Sequence, residues 1–309
     1  MPTTSVISIL MMTFDHAGKV RIVFHPSSGK GVGERRAQHL ASSLREAGIG
    51  CELIDTFTNS PADGALTRGA CRALVMVGGD GLIHRMLPLF VGTGIPVGLI
   101  PAGSGNDLWR MLGHRNEKES TERIISFCQN QEGTVSIDAL ELKFDVDQGQ
   151  TKYAIGAVSW GAEAKINAEA NALPRQLGAF RYIIGLLLAL PKLKSFCSKV
   201  TTEQFSFEGP ALAASIANIR SLGGGIQLFP EADFTDGLLE LSMVKGTKVM
   251  PVLPSIGKIL RGSTHPGKVN HHLSSAYVET KQDSFSDGEY VGTGNFEVRV
   301  LTGAIEFIG

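Results

Sequence analysis

The sequence predicts an α/β domain built on a parallel sheet, followed by a mainly antiparallel β-sandwich domain with inserted helices. Three observations predict it. In the first half, continuous apolar runs without polar alternation are separated by stretches of helical spacing, as expected of parallel strands covered on both faces. Beyond residue 134, strand-like runs follow one another with few helical crossovers between them. The length of 309 residues suits two domains of roughly 150 residues each.

Residues 20–24 form a short β-rich run. Ala37, Leu40, Ala41 and Leu44 then recur at helical spacing, with Glu34, Arg35, Arg36, Arg45 and Glu46 on the other positions, and Gly48 stops that helix. Residues 51–54 read as a second strand, and Pro61 suits the first turn of another helix. Residues 73–77 form a third strand, ended by Gly78-Gly79-Asp80-Gly81 and followed by a helix to about Phe90. Residues 97–100 form a fourth, ended by Pro101-Ala102-Gly103-Ser104-Gly105-Asn106-Asp107. Later strands are expected over 139–144, 153–159, 200–207, 211–219, 238–244 and 277–280, with helices over 177–190 and 249–260. Residues 296–308 close the chain in two strand-like runs, candidates for return to the first domain. The expected division is a leader over 1–19, with Met11 or Met12 as an alternative start, then domains over 20–135 and 136–309.

Composition excludes several classes. Lys plus Arg total 29 and Asp plus Glu total 30, so no broad basic surface exists for nucleic acid. Hydrophobic residues at 43% and charged residues at 19% exclude disorder. Cys51, Cys71, Cys128 and Cys197 form no CxxC pair, which suits reduced thiols rather than a disulfide framework or zinc site. The apolar run at 6–12 lacks the preceding basic flank of a signal peptide, and the one at 179–190 is shorter than the roughly 20 residues a membrane span needs. A soluble, cytoplasmic protein is expected.

Glycine is in excess, at 37 residues. Glycine loops follow the first, third and fourth strands of the first half, and ligands of open parallel sheets bind beyond the carboxyl ends of strands. Glycine there lets backbone N–H groups approach an anion, and the helix that follows adds partial positive charge. The pattern predicts a phosphate-bearing ligand. No GxxxxGK[ST] is present, Gly29, Gly31 and Gly33 give only GxGxG, and protein-kinase signatures are missing.

From about Val20 to its end the chain resembles the diacylglycerol kinase catalytic family, which includes sphingosine and ceramide kinases. His25-Pro26-Ser27-Ser28-Gly29-Lys30-Gly31 resembles the family's opening nucleotide loop, Gly78-Gly79-Asp80-Gly81 its GGDG signature, and the segment from Pro101 to Leu108 its PxGTxND loop. The apolar stretch from Leu177 to Leu190 resembles its apolar helix. Ala217-Asn218, Gly223-Gly224-Gly225, Pro230, Ala232 and Asp236-Gly237-Leu238-Leu239 resemble its second-domain block, and Asp287-Gly288-Glu289 its late DGE. GGDG is shared with NAD kinases, whereas the full ordered set is specific. Leu82 stands where bacterial members usually carry Thr, as in sphingosine kinases, and an acid usual nearby is absent beside His84 and Arg85.

The resemblance implies a fold like that of NAD kinase and diacylglycerol kinase, with ATP and Mg²⁺. His25, Pro26, Ser27, Ser28, Gly29 and Lys30 would cradle the nucleotide, with Gly78, Gly79, Asp80 and Gly81 on its phosphates and Asp80 directing Mg²⁺ or a donor network. Ser104 and Asn106 would contact ribose or phosphate; alternatively Asn106 caps the next helix. Thr56 or Thr58 would reach the nucleotide, or belong to a surface loop. Glu289 is the candidate general base and Asp80 its rival, while Asp287-Gly288 also suits a plain hairpin turn. Asp233, Asp236 and Leu238 would hold a structural Mg²⁺, through the Asp236 side chain and backbone carbonyls; the alternative is a solvated acidic turn. His84, His265 and the His271-His272 pair read as surface or loop residues.

The implied activity is transfer of the γ-phosphate of ATP to the primary hydroxyl of a lipid, diacylglycerol giving phosphatidate. The alternatives are a sphingoid-base kinase, a soluble-substrate kinase of the NAD kinase type, and a nucleotide-binding regulatory protein with weak catalysis. The 177–190 helix reads equally as core or as an acyl-chain and bilayer contact, with Lys192, Lys194 and Lys199 available to anionic headgroups. The expected partner is a lipid at the membrane surface, with transient peripheral contact and a homodimer left open.

Overall fold

The computed structural model describes residues 18–29, 31–57, 71–103, 105–147, 150–174, 177, 180–222, 226–251, 254, 256–259 and 268–309. Residues 1–17 of the expected leader, the helix at Pro61, Lys30, Thr58, Ser104, Gly223 to Gly225, His265 and much of the 249–260 helix lie outside them, while Lys19, the last residue of that leader, opens the first strand.

The first half contains β1 (Lys19–Phe24), α1 (Val32–Glu46), β2 (Cys51–Asp55), β3 (Cys71–Gly78), α2 (Asp80–Phe90) and β4 (Val97–Pro101), as the periodicity predicts, followed by α3 (Asp107–Met111) and α4 (Glu117–Asn130). Strands β4, β3, β1 and β2 pair in parallel, in that order. Ala37, Leu40, Ala41 and Leu44 of α1 bury one face together with Ile124, Phe127 and Cys128 of α4. Met86, Leu87 and Phe90 of α2 bury the other. Each fully buried Leu or Phe contributes about 1.5–3 kcal/mol of transfer free energy, which is why two-sided apolar strands need helices on both sides. Helix α4 is absent from the sequence expectations, because its charged N-terminal half, EKESTER, masks the short apolar stripe of Ile124, Phe127 and Cys128.

The second half contains β5 (Thr134–Phe144), β6 (Thr151–Ala154), β7 (Ala157–Trp160), α5 (Ala162–Ala172), α6 (Phe180–Ala189), β8 (Phe196–Thr201), β9 (Ser206–Ala217), β10 (Ser221–Leu222), β11 (Ile226–Gln227), β12 (Leu239–Lys245), α7 (Ile256–Ile259), β13 (Lys268–Leu273), β14 (Ser275–Glu279), β15 (Asp283–Ser286), β16 (Glu289–Thr293) and β17 (Phe296–Ile308). Its pairings β7·β9, β8·β9, β9·β12, β12·β13, β14·β17 and β15·β16 are all antiparallel. Trp160, Phe144, Phe296, Val200, Ile216 and Leu241 form its core, with Trp160 and Phe296 edge to face at 5.6 Å.

Four expectations are corrected. The strand expected over 200–207 is a hairpin, since Thr202 Oγ1 accepts the N–H groups of Gln204 and Phe205 and turns the chain. The run at 153–159 divides into β6 and β7 around Ile155-Gly156. Helix α5, unforeseen, packs on the helix expected over 177–190, described as α6 from Phe180, where Gly185 removes the side chain; a Cβ there would sit 2.9 Å from Ala170 N. Residues 296–308 form one strand, β17, rather than two runs, with a register break between Leu301 and Ile305.

Strand β17 joins the halves. It pairs with β14 and β5 antiparallel and meets β4 in parallel at Phe307–Val97. Asp138, 1% exposed on β5, accepts the Gly303 N–H at the β17 break (2.8 Å) and the Gly237 N–H (2.7 Å).

Candidate active site

The loops after β1, β3 and β4 emerge at the carboxyl edge of neighbouring strands and interlock through glycine. A Cβ on Gly79 would lie 2.8 Å from Gly103 Cα, and one on Gly29 2.5 Å from the Ala102 carbonyl oxygen. Larger residues would push the loops apart. In the first loop, His25 Nδ1 accepts the Ser27 N–H (3.2 Å) and lies 2.8 Å from Ser27 Oγ, while the His25 carbonyl accepts the Ser28 N–H (3.0 Å). Pro26 lies in the same turn, and Gly31, at φ +89°, starts α1. Thr56 Oγ1 donates to the Phe24 carbonyl at 3.1 Å, so its hydroxyl proton ties β2 to β1.

In the β4 loop, Asn106 folds back on its own segment. Its Oδ1 accepts the Gly103 N–H (3.0 Å) and its Nδ2 donates to the Gly103 carbonyl (2.9 Å). The side-chain cap expected of Asn106 is therefore absent, and the cap comes from another loop. Asp80, the first residue of α2, accepts the N–H of Asp107 at 3.2 Å and of Leu108 at 3.4 Å, at the start of α3. Asp107 is buried and ion-paired with Arg110. Burial pushes the Asp80 carboxyl up from the ordinary carboxylate range, the negative charges of Asp107 and Asp287 add to this, and the two N–H donors oppose it.

The second half supplies the opposite wall. Asp287 and Gly288 join β15 to β16 with φ +52° and +89°, the left-handed pair that a two-residue hairpin requires and Asp-Gly readily adopts. The plain-turn reading of this motif is correct for its backbone. Its carboxylate does more: Asp287 Oδ1 accepts the Ala157 N–H (3.1 Å) and Oδ2 the Ile155 N–H (3.4 Å), the donors freed where β6 gives way to β7. Glu289 then starts β16, exposed, with Oε1 3.5 Å from where a Cβ on Gly81 would be. Asp80, Gly81, Asp107, Asp287 and Glu289 thus meet where the two halves face each other. Asp107 belonged to a quoted motif but had no role assigned, because nothing in linear sequence shows that its backbone is capped by Asp80. His84, expected at the surface, lies here, 16% exposed with Nδ1 3.5 Å from Asp287 Oδ2.

The acidic loop before β12 is separate. Asp236 Oδ1 closes a turn on the Leu238 N–H (2.9 Å). Asp233 Oδ1 accepts from Thr235 Oγ1 (2.7 Å) and its Oδ2 faces Arg220 at 3.6 Å, so its side chain is occupied. Among the described residues no three His, Cys, Asp or Glu side chains cluster as a metal site, and no helix is long and apolar enough to cross a membrane.

Residues 19–139 match the diacylglycerol kinase catalytic domain and residues 156–309 the YegS C-terminal NAD kinase beta sandwich-like domain. The chain belongs to the diacylglycerol kinase catalytic family. It is 29% identical over 255 residues to the diacylglycerol kinase of Mycobacterium tuberculosis, covering 78% of this chain and 79% of that one. To the lipid kinase YegS of Escherichia coli it is 28% identical over 235 residues, covering 74% and 75%. A solved diacylglycerol kinase structure from Bacillus anthracis superimposes with a TM-score of 0.68 over 94% of this chain and 96% of that one; at 19% identity this likeness shows the fold alone. As a member of this family the chain is a phosphotransferase of the lipid-kinase type, with ATP as phosphate donor.

Proposed function

We propose that this kinase transfers the γ-phosphoryl group of ATP to the primary hydroxyl of diacylglycerol, giving phosphatidate and ADP. The observation that carries the proposal is the approach of the Glu289 carboxylate to Gly81 across the interdomain space. Phosphates lying on the loops of Gly29, Gly79 and Gly103 would present the transferring end at Gly81. Glu289 takes the hydroxyl proton as the lipid oxygen bonds to the γ-phosphorus and the bond to the β,γ-bridging oxygen breaks. Asp80 fixes α3 and the β4 loop beside that point, with His25, Ser27 and Ser28 shaping the nucleotide's other side.

Mg²⁺ fits this chain in part. The Asp236 carboxylate and the Leu238 backbone share one short turn with oxygen donors suited to a hard cation, whereas the Asp233 side chain, held against Arg220, fits only through its carbonyl. A bound Mg²⁺ would supply positive charge that orders this loop. Docking of the lipid surface is assigned to α6, where Phe180, Leu187 and Leu188 are 69%, 54% and 45% exposed; Lys194 is exposed nearby, while Lys192 is paired with Glu169. A sphingoid base is the second acceptor to weigh, because Leu82 packs in the core against Gly78 and puts no hydroxyl in the loop.

The test is transfer from radiolabelled ATP to diacylglycerol in mixed micelles, with sphingosine and NAD as competitors. Labelled phosphatidate supports the proposal. Preferred labelling of sphingosine or NAD replaces the acceptor, and tight ATP binding without transfer points to a regulatory protein. Glu289→Gln should lower kcat about 10²–10⁴-fold with ATP binding retained; near-normal turnover overturns the base assignment.

A further inference from the structure

His84 lies on the face of α2 that carries Asp80, one turn further along the helix. It is an α2 side chain that faces the second half at the active site: Nδ1 lies 3.5 Å from Asp287 Oδ2, with the side chains 16% and 13% exposed. That nitrogen is buried and has no hydrogen-bond partner within bonding geometry, Asp287 Oδ2 being the acid it faces. Asp287, at φ +52°, holds its turn through two N–H groups on its carboxylate and its own N–H on the Ala157 carbonyl, and Glu289 follows two residues later. Asp287 and Asp107 both act electrostatically on Asp80, and Asp107 is itself engaged by Arg110. An imidazole donating from Nδ1 to Asp287 would offset a concentration of negative charge and steady the hairpin that carries Glu289 toward Gly81.

We infer that His84 is a positioning residue for phosphoryl transfer, acting through a donor at Nδ1 that holds Asp287 and thereby sets the distance of Glu289 from the phosphate loop. The inference rests on the proposed role of Glu289. It differs from a space-filling role in one chemical respect: only the nitrogen nearest the ring attachment matters. An asparagine amide places an N–H close to the position of Nδ1, a glutamine amide reaches nearer to Nε2, and leucine fills the space with no donor.

The experiment compares His84→Asn, His84→Gln and His84→Leu for kcat and ATP KM with diacylglycerol in mixed micelles, alongside melting temperature and Glu289→Gln. His84→Leu should lose about tenfold to hundredfold in kcat, the scale of an ångström's misplacement, with ATP KM within about twofold. His84→Asn should keep kcat within about threefold of wild type, and His84→Gln should resemble His84→Leu. Wild-type kcat in His84→Leu, or equal losses in all three variants, overturns the inference. Because Glu289→Gln is measured in parallel, a dead Glu289→Gln beside an active His84→Leu rejects the role of His84 alone. An active Glu289→Gln rejects the base assignment and the inference with it. If diacylglycerol is not phosphorylated, the same variants are read by a thermal double-mutant cycle with Asp287→Asn, in which additive melting shifts reject the His84–Asp287 coupling.

Discussion

Asp80 opens α2 yet caps α3, its carboxylate accepting the Asp107 N–H at 3.2 Å. One side chain thereby ties the loop after β3 to the loop after β4, and it does so beside another carboxylate.

This arrangement predicts a trade between stability and activity. Burial and the charges of Asp107 and Asp287 raise the folded-state pKa of Asp80 above its unfolded value. A raised carboxyl binds its proton more tightly in the folded state, so folding is favoured at low pH and penalised as pH rises past the unfolded pKa. The penalty is complete above the folded pKa. Asp80→Asn keeps one acceptor for the α3 N–H groups and removes the charge. It should melt about 2 °C or more above wild type at pH 8, a gap that narrows toward pH 4, while transfer falls. A lower melting temperature at pH 8 contradicts the account.

The glycines separate structure from chemistry. In Gly79→Ala the new Cβ meets backbone at 2.8 Å, so the interlocked loops must part. A cost of about 1–3 kcal/mol and weaker ATP binding are expected. In Gly81→Ala the new Cβ meets only Glu289 Oε1, at an ordinary 3.5 Å. Melting should stay near wild type while kcat drops, because the methyl group occupies the space between loop and carboxylate. Calorimetry and steady-state kinetics on both variants decide the point.

His114 sets an acid limit. It is 5% exposed, stacks on Trp109 with centroids 5.9 Å apart, and Nδ1 lies 3.1 Å from Ser120 Oγ. Burial first, then Arg123, lowers its pKa from the usual 6.5. Such a group adds stability above its unfolded pKa and loses it as pH falls below about 6.5 toward the folded value. Melting temperature should decline as pH falls below about 6.5, and His114→Gln should flatten that decline. An unchanged slope in the variant rules His114 out as its source.

Glu289→Gln completes the set, with its expected loss in kcat and retained ATP binding measured by transfer and by equilibrium titration.

Local chemistry made much of this legible in advance. β4 is apolar on both faces, β1 and β3 nearly so apart from Lys19, Arg21 and Arg72, and Ala37 to Leu44 repeat at helical spacing, so their states follow largely from burial. The glycine loops raised the expectation of phosphate contact because glycine is what backbone needs to approach an anion. Helices α4 and α5 were not legible. The charged half of α4 hides its stripe, and α5 is ordered by the α6 contact at Gly185, a tertiary fact.

By itself the sequence determined the alternating first half, the antiparallel second half, and the membership of the glycine loops and the DGE motif in one phosphotransferase pattern. The first two rest on periodicity and residue type, which act over a few residues; the last rests on the resemblance of the ordered motifs to those of the family. Only the tertiary structure decided that Asp80 caps α3, that Asn106 serves its own loop, that Asp287 holds the break between β6 and β7, and that His84 reaches across to it. Each of these is a pairing of polar groups brought together from distant parts of the chain. In a buried setting such groups take whichever partner the packed helices and strands place within reach.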